Sequence, residues 1–185
     1  MPKFYTRTGD DGTTGWLGEG RISKADLRIE TLGSLDEASA AFGLARASCQ
    51  EPETKELIQS IQRDLYKMMA EVAASPENKE NFRSLDVTNI TWLESQADAF
   101  SSRIQIPKEF ILPGDTPSGA AISLARTIVR RSERRLAQLQ EEEGDKYPLL
   151  LQYLNRLSSL CFILELYENQ TAGNPSTFAK GELIK

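Results

Sequence analysis

The sequence predicts an all-α protein, an antiparallel bundle of five helices that follows a non-helical opening segment. From Ser34 onward, apolar residues recur at helical spacing almost throughout. The connections between these stretches are short and contain proline or glycine. The first 33 residues are instead polar and rich in glycine. We therefore divide a single 185-residue domain into an opening segment (1–33), a bundle (34–170) and a flexible tail (171–185).

The first two helices form a predicted pair joined by a short turn. Ser34 and Glu37 have the spacing of a capping box, which predicts a first helix from Ser34 to about Cys49. The second helix is predicted over residues 53–74. Its core face is one apolar stripe: Leu57, Ile61, Leu65, Met68 and Val72. Residues 76–86 are predicted to be a polar connection.

Proline residues mark the boundaries of the last three predicted helices. The third helix covers about residues 88–103 and ends before a segment with two proline-containing turns. Thr116 and Pro117 provide an N-cap and a first-turn proline for a fourth helix, which ends at Glu143 before a glycine. Pro148 begins the fifth helix.

Composition excludes several classes of protein. Hydrophobic residues make up 39% of the chain and charged residues 26%, as in a folded globular domain. The net charge of −5 argues against a nucleic-acid partner. We find no apolar run near the roughly 20 residues of a membrane span and no signal-peptide core, so we expect a cytoplasmic protein without a membrane segment. Cys49 and Cys161 lie in apolar helical patterns and are predicted to be buried free thiols.

The chain contains no histidine. This absence removes the commonest general base, the usual zinc ligand and any Ser-His or Cys-His pair. If the protein is an enzyme, its chemistry must proceed without imidazole.

The fourth helix carries five arginines within "ARTIVRRSERR". Arg126, Arg130 and Arg134 are four residues apart and form one ridge, while Arg131 and Arg135 form a neighbouring ridge. The ridges allow two interpretations. They can be a solvated basic face with ion pairs that support the helix. They can also bind a small polyanion, because arginine offers paired hydrogen bonds to phosphate or carboxylate.

Two other side chains also allow a structural and a functional interpretation. Asn155, within "YLNRLSSLCF", can satisfy a buried backbone group and fix helix register, or it can hydrogen-bond a base or ribose. Phe110, within "EFILPGDT", can be a core anchor or an aromatic surface for an apolar ligand.

The opening stretch "TRTGDDGTTG" supplies glycines for close backbone approach and threonine hydroxyls for phosphate or magnesium. Lys24 and Arg28 add positive charge shortly afterwards. The stretch lacks the GxxxxGK[ST] pattern of a Walker A loop. A plain turn and a phosphate-binding loop both remain open.

Taken in order, six stretches of the chain resemble the signature stretches of the PduO-type ATP:corrinoid adenosyltransferases. They are "YTRTGDDGTT", "RISKADLRIE", "GSLDEASAAFGLA", "FILPGDT", "ARTIVRRSERR" and "YLNRLSSLCF", and they span Tyr5 to Phe162. The resemblance implies a homotrimer of ferritin-like five-helix bundles with each active site between two subunits. It also implies transfer of the 5′-deoxyadenosyl group of ATP to cob(I)alamin, which gives adenosylcobalamin and triphosphate.

The resemblance implies a role for each matching residue. The triphosphate and its Mg²⁺, held mainly through the phosphates, would be wrapped by Thr6, Arg7, Thr8, Gly9, Asp10, Gly12, Thr13 and Lys24. The rest of ATP would be held by Arg126, Arg130, Glu133 and Asn155. Asp36 would pair with Arg126 across the subunit boundary, so that Arg126, Arg130 and Asp36 are the implied catalytic residues. Phe110 would lie under the corrin ring.

The implied reaction suits a chain without histidine, because cob(I)alamin is itself the nucleophile. A reductase and a B12-dependent acceptor enzyme are possible partners. The chain departs from the family pattern at four positions: Asp11, Asp115, Ser123 and Ser159. A non-catalytic trimeric module that binds ATP or a corrinoid for delivery is the alternative, and formation of adenosylcobalamin would distinguish the two.

Overall fold

The computed structural model describes residues 5–83, 85–144 and 147–180. Five long helices dominate it, together with a short helix and a two-stranded antiparallel sheet. In chain order the elements are β1 (Thr13–Gly15), β2 (Arg21–Ser23), α1 (Leu27–Ser48), α2 (Pro52–Ala73), α3 (Lys79–Phe82), α4 (Val87–Ser101), α5 (Pro117–Glu143) and α6 (Pro148–Thr171). The prediction of five long helices is confirmed. Residues 5–26 of the opening segment are non-helical, as predicted, but the all-α prediction did not include their two-stranded sheet.

The long helices pack as neighbours in the order α2, α1, α5, α6 and α4. The short connections between α1 and α2, and between α5 and α6, make each of these pairs antiparallel. The apolar stripe predicted on α2 faces the core, where Ile61, Leu65 and Met68 are fully buried. Cys49 and Cys161 are buried free thiols, as predicted. Burial raises the pKa of Cys49 to about 12, so its thiol is unreactive.

Helix α1 begins seven residues before the predicted start. Its N-cap is Asp26, whose carboxylate accepts a hydrogen bond from the Arg28 amide at 2.8 Å. The predicted capping box at Ser34 is therefore wrong. Ser34 is buried within the helix, and its hydroxyl donates to the Thr31 carbonyl. The polar residues of the first turns concealed this start, because Arg28 and Thr31 are buried despite their polarity.

The opening segment folds into a hairpin in which Thr14 pairs with Ile22. The loop between its two strands contacts the end of α2, where the Leu17 amide donates to the Ala73 carbonyl and the Leu17 carbonyl accepts from the Ser75 amide. Gly18 permits this close approach, because a Cβ atom there would lie 2.3 Å from the Ser75 hydroxyl. Strands of three residues are too short to give a visible alternation, which is why the sequence did not predict them.

Arg28 ties the beginning of α1 to two other helices. Its guanidinium is 4% exposed and donates to the carbonyls of Val72 and Ala74 and to the Tyr147 hydroxyl. It also forms an ion pair with Glu143 at the end of α5. Arg28 is therefore a structural residue, and the expectation that its charge would be available beside the opening loop is wrong.

The segment after α6 pairs with the connection that carries Phe110. The Leu112 amide donates to the Thr177 carbonyl, and the Ala179 amide donates to the Phe110 carbonyl, both at 2.8 Å. Thr177 also donates its hydroxyl and its amide to Asp115, at 2.6 and 3.1 Å. Residues 177–179 thus have fixed partners within the predicted tail. Residues 181–185 of that tail lie outside the described residues.

Helix α6 reaches the length and hydropathy of a membrane-spanning helix, although no such run was recognised in the sequence. Of its most apolar 18-residue window, 56% is buried inside the bundle. Helices at the core of a bundle commonly have this composition. Length and composition are therefore weak support for a membrane span here.

We predict that Arg28→Met lowers the free energy of unfolding by about 3–5 kcal/mol, because it removes the buried guanidinium that two backbone carbonyls, the Tyr147 hydroxyl and Glu143 contact. Chemical denaturation measures this loss. The matched control is Arg63→Met on the exposed face of α2, which should change stability by less than about 0.5 kcal/mol. Equal effects of the two substitutions would contradict the structural role of Arg28.

Candidate functional site

The opening loop, residues 6–13, is closed by a small hydrogen-bonded group. Asp11 Oδ1 accepts from the Thr13 amide at 2.9 Å and from the Thr13 hydroxyl at 2.7 Å. These bonds hold the pKa of Asp11 below its usual value. Arg21 donates to the Thr13 hydroxyl and to the carbonyls of Thr8 and Thr13. These hydrogen bonds shape the loop, and Arg21 is its brace, a role that the sequence did not reveal.

Lys24 lies against the inner side of the same loop. Its Nζ donates to the Gly9 carbonyl at 2.7 Å, and its amide donates to the Gly12 carbonyl at 2.9 Å. A Cβ atom on Gly9 would lie 3.0 Å from that Nζ and 3.1 Å from the Thr13 carbonyl oxygen. Glycine therefore allows the ammonium group to sit close to the loop backbone.

Arg7 has a left-handed backbone, with φ of 60°. Non-glycine residues rarely adopt this conformation, and they do so mainly at functional sites. Its guanidinium lies 5.4 Å from the Tyr5 ring centroid. The hydroxyls of Thr6 and Thr8 are 2.8 Å apart, and both residues are exposed together with Asp10. Residues predicted to wrap a triphosphate thus share one exposed loop.

The two arginine ridges of α5 have different surroundings. Arg131 pairs with Glu37 and Arg135 with Glu30, so this ridge binds α5 to α1. Among the described residues, Arg130 and Arg134 form no ion pair, and both are exposed. The solvated-face interpretation fits the ridge of Arg131 and Arg135. The ridge that contains Arg130 and Arg134 retains its charge for a ligand or a partner.

Asn155 and Glu133 meet between α6 and α5. The Asn155 amide donates to Glu133 Oε1 at 3.0 Å, and its carbonyl oxygen accepts from Arg156 at 2.9 Å. Asn155 is exposed, so the interpretation as a buried register residue is wrong. Arg130 lies three residues before Glu133 and therefore on the same side of α5. Three of the predicted ATP-binding residues thus share one surface.

Phe110 stands at a cavity of about 360 Å³ formed by the connection before α5 together with α5 and α6. Its side chain is 87% exposed, so the core-anchor interpretation is wrong. The other lining residues are Lys108, Glu109, Ile111, Pro113, Ser123, Arg126, Phe162 and Glu165. Arg126 belongs to this cavity, and its Nε is buried without a hydrogen-bond partner among the described residues. Arg126 therefore has an unmet donor beside Phe110.

Glu165 is a residue of this cavity that the sequence analysis did not single out. Loss of hydration raises its pKa, and the Ser123 hydroxyl and the Arg126 charge oppose part of that rise. The available signal was a lone carboxylate within the apolar run "CFILELY".

Within one chain, the opening loop and the free arginines lie apart. Arg28 attaches the opening segment to Glu143 near the end of α5. Arg126 lies 17 residues earlier in that helix, a distance of about 25 Å along the axis at 1.5 Å per residue. Asp36 is exposed on α1 and forms no ion pair among the described residues. The structure thus places the predicted loop residues in one group and the predicted residues of α5 in another.

The four departures from the family pattern have distinct surroundings. Asp11 closes the opening loop, and Asp115 holds Thr177. Ser123 lines the cavity beside Phe110, whereas Ser159 is exposed. Three of the four are therefore in or beside the predicted site.

We predict that Phe110→Ala changes the free energy of unfolding by less than about 0.5 kcal/mol, because its side chain contributes little to the core. Phe42→Ala, the matched control at a fully buried ring, should cost about 3–5 kcal/mol. Thermal or chemical denaturation measures both. A large loss for Phe110→Ala would show that the ring anchors the fold.

Comparisons with known proteins agree with this geometry. The family described as cobalamin adenosyltransferase matches residues 4–168. The corrinoid adenosyltransferase of Bacillus subtilis is 37% identical over 92% of this chain and 89% of its own length. Corrinoid adenosyltransferase PduO of Citrobacter freundii is 36% identical, and the chain spans about half the length of that relative, 50%.

A solved structure extends the agreement to three dimensions. It is that of a variant PduO-type ATP:corrinoid adenosyltransferase from Lactobacillus reuteri complexed with cobalamin and ATP. It superposes with a TM-score of 0.89 at 30% sequence identity, over 97% of this chain and 100% of that one. The chain therefore belongs to the cobalamin adenosyltransferase family.

Proposed function

We propose that the protein transfers the 5′-deoxyadenosyl group of ATP to cob(I)alamin and releases triphosphate. One observation carries this proposal. The exposed surface formed by Arg130, Glu133 and Asn155 lies on the same two helices that, with the Phe110 connection, line the cavity beside Phe110. Such an arrangement offers polar groups for a nucleotide and an aromatic face for a large ring. Family membership supports the same reaction.

The reaction requires positioning and charge stabilisation from the protein. The Co(I) centre of the substrate supplies the electron pair that forms the bond to C5′, while the C5′–O bond breaks and the triphosphate leaves with its electrons. No proton must be removed from the nucleophile. A chain without histidine can therefore support this step. In-line placement of C5′ and stabilisation of the leaving anion lower the barrier.

The nucleotide would be held at both ends. The exposed loop with Thr6, Thr8 and Gly9 offers hydroxyls and backbone amides to the triphosphate, and Lys24 adds a positive charge beneath it. The Thr13 hydroxyl already donates to Asp11 and accepts from Arg21, so it would support the loop rather than contact phosphate. Asn155 and Glu133 would hydrogen-bond the nucleoside, and Arg126 and Arg130 would supply charge.

Magnesium fits this loop only as part of the nucleotide complex. No group of three His, Cys, Asp or Glu side chains gathers anywhere in the described ranges. Mg²⁺ prefers few protein ligands and keeps phosphate oxygens and water in its shell. Asp10 and the hydroxyls of Thr6 and Thr8 are exposed oxygens that the opening loop would offer to such a complex. When bound, Mg²⁺ would neutralise part of the triphosphate charge.

The corrinoid would lie over Phe110. A ring that is 87% exposed on a connection fixed by Thr177 and Ala179 presents a stable apolar face to a flat ligand. An apolar face on one side of the ring disfavours a polar axial ligand there, which would ease reduction of Co(II). Phe110 would act on the corrinoid and leave the phosphates untouched.

The complete site would form between subunits of a homotrimer. In one chain, the opening segment is attached near the end of α5, whereas Arg126 lies earlier in that helix. A second copy of the chain can therefore bring a loop and an Arg126 together. The exposed positions of α1 recur on one side and carry small or apolar residues around Asp36: Gly33, Ala40, Leu44 and Ala47. Leu124 is also exposed on α5. Asp36 of one copy would pair with Arg126 of another across this surface.

The proposed reaction places the protein between two others. A reductase would supply the electron that converts cob(II)alamin to cob(I)alamin, and a B12-dependent enzyme would accept the adenosylcobalamin. Both partners, and a cytoplasmic location, are part of the proposal.

Product analysis tests the reaction. Phosphorus NMR should detect intact triphosphate formed only with cob(I)alamin present, whereas ADP formed without corrinoid would contradict adenosyl transfer. Arg130→Ala should lower kcat by about 30- to 1,000-fold, which corresponds to roughly 2–4 kcal/mol, because the leaving charge develops in the transition state. The matched control is Arg135→Ala on the paired ridge of α5, which should retain most activity.

A double-mutant cycle tests the assembly. Asp36→Ala and Arg126→Ala should each lower activity, and the double variant should lose less than the sum by about 0.5–3 kcal/mol, because either change removes the same contact. Light scattering should report three subunits per particle for the unmodified protein. An active monomer, or fully additive losses, would contradict the inter-subunit pair.

A further inference from the structure

The inner wall of the Phe110 cavity contains three buried polar atoms that make no hydrogen bond among the described residues: Ser123 Oγ, Arg126 Nε and Glu165 Oε1. Glu165 is 1% exposed, and its Oε1 makes no hydrogen bond among the residues that the structure describes. The buried Nε of Arg126 likewise has no acceptor there. Both side chains line the same cavity, whose other walls include Ile111, Pro113 and Phe162. A ligand in this cavity would meet an acceptor in Glu165 and donors in Arg126 and Ser123.

Buried polar groups without partners destabilise a protein, so a ligand that satisfies Arg126 and Glu165 gains affinity. A primary amide can do so, because its carbonyl accepts from Arg126 and its NH₂ donates to Glu165. An alkyl group would satisfy neither. A carboxylate would accept from Arg126, but it has no hydrogen to donate to Glu165 and would place a second negative charge beside it.

We propose that Glu165 determines specificity for the peripheral carboxamides of the corrinoid. The edge of the corrin ring carries primary amides on short chains, and one of them would enter the cavity while the ring lies over Phe110. Arg126 Nε would donate to the amide oxygen, and Glu165 would accept from the amide nitrogen. This inference rests on the proposed function, and it adds that corrinoids with a carboxylate at that position are poor ligands.

Equilibrium binding of cob(II)alamin and of its separated monocarboxylate isomers tests the inference, with the full-length protein saturated with ATP. Each isomer has one peripheral amide hydrolysed, and corrinoid absorbance follows binding. The unmodified protein should bind one of the isomers about tenfold more weakly than it binds cob(II)alamin, in which every peripheral amide is intact. Glu165→Gln, which preserves size and removes the charge, should abolish or reverse that preference.

Glu168→Gln is the matched control. Glu168 is also buried on α6, but its carboxylate accepts from the Gln50 amide and it does not line the cavity. This variant should keep the amide preference of the unmodified protein even if its melting temperature falls, because a general loss of stability does not change the ratio of two affinities.

Four results would decide the matter. Equal binding of every isomer by the unmodified protein would overturn the inference, whatever the folding of the variants. An unchanged preference in folded Glu165→Gln would also overturn it, while leaving the proposed function intact. A failure of the unmodified protein to bind any corrinoid would overturn both. An isomer preference that Glu165→Gln removes and Glu168→Gln keeps would establish the role of Glu165.

Discussion

The buried guanidinium of Arg28 is the interaction on which the placement of the opening segment depends. It joins the start of α1 to the end of α2, to Tyr147 and to the end of α5. The hairpin and its loop are thereby fixed at one end of the bundle. Arg126 lies about 25 Å from Glu143 along the axis of α5. This separation is the reason for proposing that the opening loop of a second copy of the chain completes the site.

Helix α5 divides its arginines between ion-paired and unpaired positions. Arg131 and Arg135 neutralise acidic residues of α1 and hold the two helices together. Arg130, next to Arg131 in the sequence, is exposed and lies on the same side of α5 as the Glu133–Asn155 pair. Such a division explains how an acidic protein maintains a basic surface, since each ridge either has a fixed carboxylate partner or remains available to an anion. The same helix also lines the cavity beside Phe110, through Ser123 and Arg126.

The long helices were predictable because proline, threonine and apolar periodicity act locally. Pro117–Glu143 was predicted with both of its bounds. The start of α1 was not, because the burial of Arg28 and Thr31 depends on residues more than 40 positions away along the chain, at the end of α2 and in α5. The exposure of Phe110 and Asn155 also depends on tertiary packing. Motif order supplied the proposed site residues, but only the structure revealed that Arg21 braces the loop and that Glu165 lines the cavity.

The central claim is that C5′ of ATP becomes bonded to cobalt on this protein. The most direct measurement is carbon-13 NMR of the corrinoid after incubation with cob(I)alamin and ATP labelled at C5′. The account predicts that the label appears in a carbon–cobalt bond, in an amount equal to the corrinoid consumed. Label that remains entirely in adenine nucleotides while the protein binds both substrates would contradict it.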